Sequence, residues 1–140
     1  QDSIYKSQVV KTRIDGVYIP KDTKDAMLEL DRLSPKESIA KLKTIDEETM
    51  AKKLQFGLGR WMIVSWQLNL GSRMHKYLTD LGLKGEDEMT QFLLICYNRH
   101  IKNVTLDELG LAKSIKVKRE QAYRRMMKEV HGIDSVIIKN

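Results

Sequence analysis

The sequence predicts a single all-α domain of five or six helices packed around a central buried helix, and three observations support this prediction. Apolar residues recur at helical spacing along most of the chain. Residues that can cap a helix precede these apolar repeats. The chain has 140 residues, which is the size of one domain, and it contains no long linker. We therefore predict one helical domain over residues 15–140, preceded by a loosely held arm over residues 1–14.

The first predicted element of the domain is a short extended run. Asp15-Gly16 indicates a turn, and Val17-Tyr18-Ile19 is β-prone until Pro20 stops it. The best partner for this run is Val136-Ile137-Ile138, which is also rich in β-branched residues. The expected β content is therefore at most one two-stranded terminal ribbon.

Two helices are predicted next. Asp22 has the character of an N-cap, and the apolar repeat after it carries a first helix to about Leu33. Ser34-Pro35-Lys36-Glu37 has the pattern of a capping box, with proline at the first helical position. A second helix should therefore run from there to about Lys43.

The third helix is predicted to be the central one. It begins in the acidic segment Thr44–Glu48 and runs to about Leu68, and it is apolar on almost every side. Such a helix is buried by its neighbours, so Leu58 and Trp61 should be almost fully buried. Gly57 and Gly59 lie inside this pattern, where glycine destabilises a helix, so they favour close approach of another backbone over a local break.

The remaining helices follow from caps and periodicity. Gly71-Ser72 ends the third helix and caps a fourth, and Glu86-Asp87 begins a fifth. The predicted ranges are residues 73–81 for the fourth helix, 86–102 for the fifth, 105–109 for a short helical piece and 113–130 for the last long helix.

Charge is concentrated in the last helix. The net charge is +6, and the segment Lys113–His131 holds seven Lys and Arg residues against two Glu, so it carries 7 − 2 = +5. One face is a candidate docking surface for an acidic protein or a small anion, although an ordinary solvated face is the simpler interpretation, and it is formed by Lys113, Lys118, Arg124, Arg125 and Lys128. The opposite face should pack on the domain, and it is formed by Ile115, Ala122, Tyr123, Met126 and Val130. The one aromatic residue points to the packing side, which disfavours base stacking with nucleic acid.

Catalytic and metal signatures are weak in this sequence. The three histidines have no HxxxH or HExxH spacing, and one cysteine cannot form an intrachain disulfide. Cys96 and His100 share the apolar stripe of the fifth helix, which indicates core residues better than a Cys-His pair. We expect no metal and no cofactor. The longest apolar run is also far shorter than the roughly 20 residues that span a bilayer.

The best candidate ligand pocket surrounds the third helix and the start of the fourth. Arginines at 60 and 73 could hold one carboxylate or phosphate through bidentate hydrogen bonds, although pairing with acidic helix starts is the simpler role. The pocket residues are Arg60, Trp66, Asn69, Arg73 and His75.

Several of these segments together resemble a known family. The segments are DGVYIP, an acidic helix start with LDRLSP, FGLGRW, a second tryptophan, GSR and a Tyr-Leu pair. In this order they resemble an uncharacterised family of small bacterial domains with the approximate central pattern FGLGxWxRNxWxLWxGSRLxxYF. The resemblance covers about residues 15–106, and the matching positions are Phe56, Gly57, Leu58, Gly59, Trp61, Trp66, Gly71, Ser72, Arg73 and Tyr77. It implies a shared fold, and the family has no assigned activity that could be transferred to this chain.

This chain departs from the family pattern around its second tryptophan. Ile63-Val64-Ser65 stands where the pattern has Arg-Asn, and Leu68-Asn69-Leu70 stands where it has Leu-Trp. If those positions line a site, this member has altered it.

The resemblance also bears on location, because such domains often accompany exported bacterial proteins. The Gln-Asp start fits a mature end left after signal-peptide removal, and the alternative is a trimmed cytoplasmic chain. We expect a non-catalytic binding or interaction module of an exported protein, periplasmic or secreted. The alternatives are a basic nucleic-acid-binding module that uses the last helix and a cryptic enzyme with a site near Arg60, Arg73 and His75.

Overall fold

A computed structural model describes the backbone of residues 2–139 and the side chains of residues 4–132. It confirms a single compact all-α domain with one small antiparallel ribbon. The elements are α1 (Asp2–Gln8), β1 (Arg13–Ile14), β2 (Val17–Tyr18), α2 (Thr23–Leu33), α3 (Lys36–Leu42), α4 (Glu47–Leu54), a π-helical turn (Gln55–Gly59), α5 (Arg60–Ser65), α6 (Arg73–Asp80), α7 (Gly85–Ile101) and α8 (Glu108–Lys139).

The buried centre of the domain is α7, and the prediction that the third helix would be central is wrong. Ten of the 17 residues of α7 are buried, among them Phe92 and Tyr97. This helix contacts α2, α3, α4, the π-turn, α5 and α8. Its acidic first turn has the charge that favours a helix start, as expected from Glu86-Asp87.

The predicted third helix is real but is interrupted and ends early. The π-turn separates α4 from α5, and α5 ends at Ser65 rather than near Leu68. A Cβ placed on Gly57 would meet nothing within 4 Å, so this glycine marks a local break and not the close backbone packing that we predicted. Trp61 is 37% exposed, whereas Trp66 is fully buried.

The turn after α5 brings α1 into contact with the domain. Gly71 has φ 112°, a conformation that favours glycine, and a Cβ there would lie 2.8 Å from the ring of Tyr5. Ser72 then caps α6, because its hydroxyl accepts a hydrogen bond from the backbone N–H of His75 at 3.1 Å. The N-terminal arm therefore includes a helix, α1, whose Tyr5 packs on Gly71.

The ribbon forms between local partners and not with the C-terminal run. Arg13 pairs with Tyr18 and Ile14 pairs with Val17, across the Asp15-Gly16 turn. The predicted partner, residues 136–138, lies within the range of α8 instead. Both residues of the turn have positive φ, 50° and 81°, as a tight two-residue hairpin requires.

Two further helix boundaries differ from the prediction. Pro35 is the N-cap of α3 and no side chain caps that helix, so the capping box predicted at Ser34 is not formed. Instead, the backbone N–H of Ser34 donates to Leu30 at the end of α2. The short piece at 105–109 and the last helix are one continuous helix, α8, which begins at Glu108.

Candidate functional site

A cleft of about 600 Å³ lies between the ribbon, α2 and α5. This volume is within the range of small-ligand pockets, which is about 300–1,000 Å³. The residues that line it are Arg13, Gly16, Val17, Tyr18, Asp25, Glu29, Arg32, Leu33, Trp61 and Trp66. Both tryptophans of the chain therefore line the same cleft.

The two tryptophans have different degrees of exposure. Their rings meet edge to face, with centroids 5.6 Å apart and an interplanar angle of 73°. Trp66 is fully buried, and Trp61 packs against it while more than a third of its surface faces solvent. The rigid, buried Trp66 thus holds an exposed aromatic side chain at the edge of the cleft.

The ribbon side of the cleft is held by Tyr18. Its hydroxyl donates a hydrogen bond to Asp25 Oδ2 at 2.6 Å, and the backbone N–H of Lys21 donates to the same oxygen at 3.0 Å. The guanidinium of Arg73 lies 5.2 Å from the centroid of the Tyr18 ring. The hydrogen bond to Asp25, together with burial, raises the pKa of Tyr18.

Arginines supply the positive charge of the cleft. Arg32 forms a bidentate pair with Glu29, which precedes it by three residues on α2, at 3.0 and 3.1 Å. Arg13 is exposed on β1. Both arginines line the cleft together with the carboxylates of Asp25 and Glu29.

One face of the π-turn and α5 is exposed and contains large apolar residues. Phe56 has 88% of its surface exposed and Val64 has 61%. Gly57, Arg60 and Trp61 are exposed on the same face. We call Phe56, Gly57, Arg60, Trp61 and Val64 the exposed aromatic face; it meets the cleft at Trp61.

The structure does not gather the five predicted pocket residues into one pocket. Trp66 lines the cleft. Arg73 does not line it but contacts Tyr18, which does, and the Arg73 Nε donates a hydrogen bond to the Ile19 carbonyl oxygen at 2.7 Å. Arg60 and Asn69 are exposed on the surface outside this cleft.

His75, the fifth predicted residue, lies beside α1. Its ring meets that of Tyr5 edge to face with centroids 6.2 Å apart, and its Nδ1 is buried without a hydrogen-bond partner among the described residues. Burial lowers the pKa of His75, which favours the neutral ring.

The predicted basic face of α8 is exposed at all five positions, Lys113, Lys118, Arg124, Arg125 and Lys128. The prediction that one face of α8 packs on the domain is wrong at every residue of that face except Ile115. Ile115 is buried, but Ala122, Tyr123, Met126 and Val130 are exposed, because α8 continues past the edge of the domain.

Cys96 and His100 have separate environments. Cys96 is buried, and burial is the main cause that raises the pKa of its thiol to about 12, so the thiolate is not available near neutral pH. His100 is partly exposed, and its Nε2 lies 2.6 Å from Asp31 Oδ2 on α2. In the part of the chain that the structure describes, no three His, Cys, Asp or Glu side chains are grouped to hold a metal ion. Among the same residues, no helix is long and apolar enough to cross a membrane.

The sequence analysis missed the α2 side of the cleft. Asp25, Glu29 and Arg32 have the spacing i, i+4 and i+7, which places them on one face of a helix. This polar stripe next to the DGVY hairpin was the available signal. Of the three, only Asp25 lies in the first turn of α2, where the helix dipole alone accounts for an acidic residue.

The matched family covers the centre of the fold and the α2 and α5 sides of the cleft. Domain of unknown function (DUF6794) matches residues 19–101, which is more than half of the chain. The chain belongs to this family. The match spans α2 to α7, including Asp25, Trp61 and Trp66, and it leaves out the ribbon residues 13–18 and α8. No curated protein and no solved structure matches the chain. The prediction of an uncharacterised domain is therefore confirmed.

Proposed function

We propose that this DUF6794 domain is a non-catalytic protein-binding module of an exported bacterial protein. A partner segment would occupy the cleft beside Trp61 and extend over the exposed aromatic face. The export and the bacterial origin are supported by the sequence resemblance, and the binding role is supported by the arrangement of the cleft.

The observation that carries this proposal is the exposure of Trp61 at the cleft. A domain that buries Trp66 completely leaves Trp61 more than a third exposed and Phe56 almost fully exposed on the same helical run. Leaving large aromatic surface in water gives up burial energy, and patches of this kind mark interaction sites. The π-turn that displays Phe56 is also a feature found frequently at functional sites.

The side chains of the cleft favour a protein partner. Tryptophan, tyrosine and arginine dominate the energetic centres of protein interfaces, and Tyr18, Arg32 and Trp61 all line this cleft. A partner would place an apolar side chain against Trp61 and a carboxylate toward the exposed guanidinium group of Arg13, since Arg32 is already paired with Glu29. The partner segment is therefore expected to contain a carboxylate and a large apolar residue.

The acidic groups of the cleft support binding rather than acid–base catalysis. Asp25 already accepts hydrogen bonds from Tyr18 and from the backbone of Lys21, and Glu29 is paired with Arg32. Both carboxylates are therefore already paired within the domain.

The proposal is tested by selecting 12-residue peptides from a random display library on the wild-type domain. We expect selected peptides to combine acidic residues with an aromatic or aliphatic residue, and to lose binding to the Trp61→Ala variant. Leu109→Ala is the matched control, because Leu109 is 75% exposed on α8 and does not line the cleft. Peptides that bind wild type, Trp61→Ala and Leu109→Ala equally well would contradict the proposal, as would a selection that enriches nothing.

A second candidate function is nucleic-acid binding by α8, because all five predicted basic residues are exposed along a projecting helix. Affinity for duplex DNA would then fall by roughly 0.9 log units per log unit of salt for each phosphate neutralised. Fluorescence anisotropy with a labelled 20-base-pair duplex measures this slope. Binding at physiological salt that the triple variant Arg124→Gln, Arg125→Gln, Lys128→Gln loses would support this function, and absence of binding at that salt would remove it.

A further inference from the structure

One stripe of α8 begins inside the domain and continues beyond it. Leu111, Ala112 and Ile115 are buried against the domain. Arg119 makes the last anchoring contact described, donating from Nε to Glu88 at 2.9 Å and from a terminal nitrogen to the Gly82 carbonyl oxygen at 2.8 Å. With about 100° of rotation per residue, the residues that follow on this stripe are Ala122, Tyr123, Met126 and Val130.

The projecting part of this stripe is apolar and exposed. Tyr123 is 59% exposed, Met126 is 50% exposed and Val130 is 43% exposed. They are spaced three and four residues apart, and the sequence repeats this spacing at Ile133 and Ile137. Such spacing is typical of helices that pack along a seam. Leaving these apolar side chains in water gives up the free energy of their burial, which a packing partner would recover.

We infer that a second copy of this chain covers the stripe, with the two α8 helices antiparallel. The pairing is centred near Lys128, so that Met126 of one copy packs against Val130 of the second copy. The two-fold symmetry then buries Tyr123, Met126 and Val130 of both copies in one continuous apolar seam.

The position of the domain selects the antiparallel orientation. The domain already occupies the stripe side of α8 at Leu111 and Ile115. In a parallel pair both domains would lie at the same end of the two helices, and each would lie on the stripe side of its own helix. Each domain would then occupy the space of the other copy, and the two would collide. In an antiparallel pair the domains lie at opposite ends.

The charges of α8 are compatible with this self-association. Arg124 and Lys128 lie on the side of the helix opposite the stripe, so they do not face each other across the seam. Arg125 and Glu129 lie on one flank of the stripe and on either side of the pairing centre. The antiparallel arrangement therefore brings Arg125 of one copy near Glu129 of the second copy, which are opposite charges.

The first test is sedimentation velocity of the whole chain between about 1 and 200 μM. We expect a reversible monomer–dimer equilibrium in this range. Met126→Glu and Val130→Glu should each raise the dimer dissociation constant by about a hundredfold or more, since each buries two unpaired charges at the seam. Val117→Glu is the matched control, because Val117 is also exposed on α8 but lies on the opposite side of the helix. It should leave the equilibrium unchanged.

The orientation is tested by disulfide cross-linking of Met126→Cys and Val130→Cys variants. The native Cys96 is buried and should not compete. An antiparallel pair predicts that a mixture of the two variants cross-links faster than either variant alone, whereas a parallel pair predicts the reverse. A chain that stays monomeric at 200 μM, a dimer unaffected by Met126→Glu and Val130→Glu, or faster cross-linking within each variant would overturn the inference. A monomer that binds vesicles of anionic phospholipid through α8 would assign the stripe to a membrane surface instead.

Discussion

The two tryptophans of the cleft provide a quantitative test of the fold, because equal truncations should have unequal costs. A tryptophan side chain buries about 200 Å² when it is fully enclosed, which corresponds to about 5 kcal/mol at 25 cal/mol per Å². Trp66 is fully buried, so Trp66→Ala should approach this figure. Trp61 is 37% exposed, so Trp61→Ala should cost about 3 kcal/mol.

Both substitutions also remove the same edge-to-face contact between the two rings, which contributes about 0.5–1.5 kcal/mol. This contribution cancels in the comparison. The expected difference is therefore about 2 kcal/mol, with Trp66→Ala the more destabilising change.

The assay is urea unfolding followed by circular dichroism, with Leu109→Ala as an exposed control that should lie within about 0.5 kcal/mol of wild type. If Trp66→Ala does not fold, Trp66→Phe and Trp61→Phe make the same comparison with smaller changes. A Trp61 variant that is as destabilised as the matching Trp66 variant would refute the assignment of Trp66 to the core and of Trp61 to the surface.

Three further predictions test the environments of Arg73, Cys96 and His75. Arg73→Gln should cost about 1–2 kcal/mol in urea unfolding, because it removes the bond to the Ile19 carbonyl and the contact with Tyr18, while Arg60→Gln should stay within about 0.5 kcal/mol. Equal costs would contradict this. Cys96 should react with a thiol reagent at pH 8 only after unfolding, because burial raises its pKa to about 12; rapid labelling of the native chain would contradict its burial. Burial lowers the pKa of His75 in the folded chain, so the neutral ring stabilises the fold at pH values above the unfolded pKa of about 6.5. This contribution is lost as the pH falls through the folded pKa. The urea midpoint of His75→Gln should therefore fall less than that of wild type between pH 7 and 5. Parallel curves would contradict the role of His75.

The sequence could not show that Trp66, and not Trp61, is the fully buried tryptophan. A helical wheel at 100° per residue assumes an unbroken helix, and it placed Trp61 at the centre of the core. The π-turn at Gln55–Gly59 changes the phase of everything after it, and α5 ends at Ser65. Gly57 and Gly59 indicated either close packing or a local break, and composition alone did not distinguish them.

Other parts of the fold were available in the sequence. Asp22, Asp46 and Ser72 cap their helices as their residue types predict. The ribbon was also predictable, because Asp15-Gly16 is a strong two-residue hairpin signal and closing a short loop costs less entropy than pairing with residues 136–138. The cleft itself was less accessible, since it depends on how α2, α5 and the ribbon meet in space.

The cleft and the α8 stripe lie on different elements, and this separation predicts how their variants combine. Val130→Glu removes the proposed dimer seam without touching any residue that lines the cleft. The affinity of one domain for a free monovalent peptide should therefore be the same in Val130→Glu and wild type. On a surface coated densely with that peptide, the dimer can engage two peptides at once, so wild type should dissociate at least about tenfold more slowly than the variant. Surface plasmon resonance at low and high peptide density measures both quantities. Equal dissociation rates at high density, with dimerisation independently confirmed, would show that the antiparallel pair does not present its two clefts to one surface.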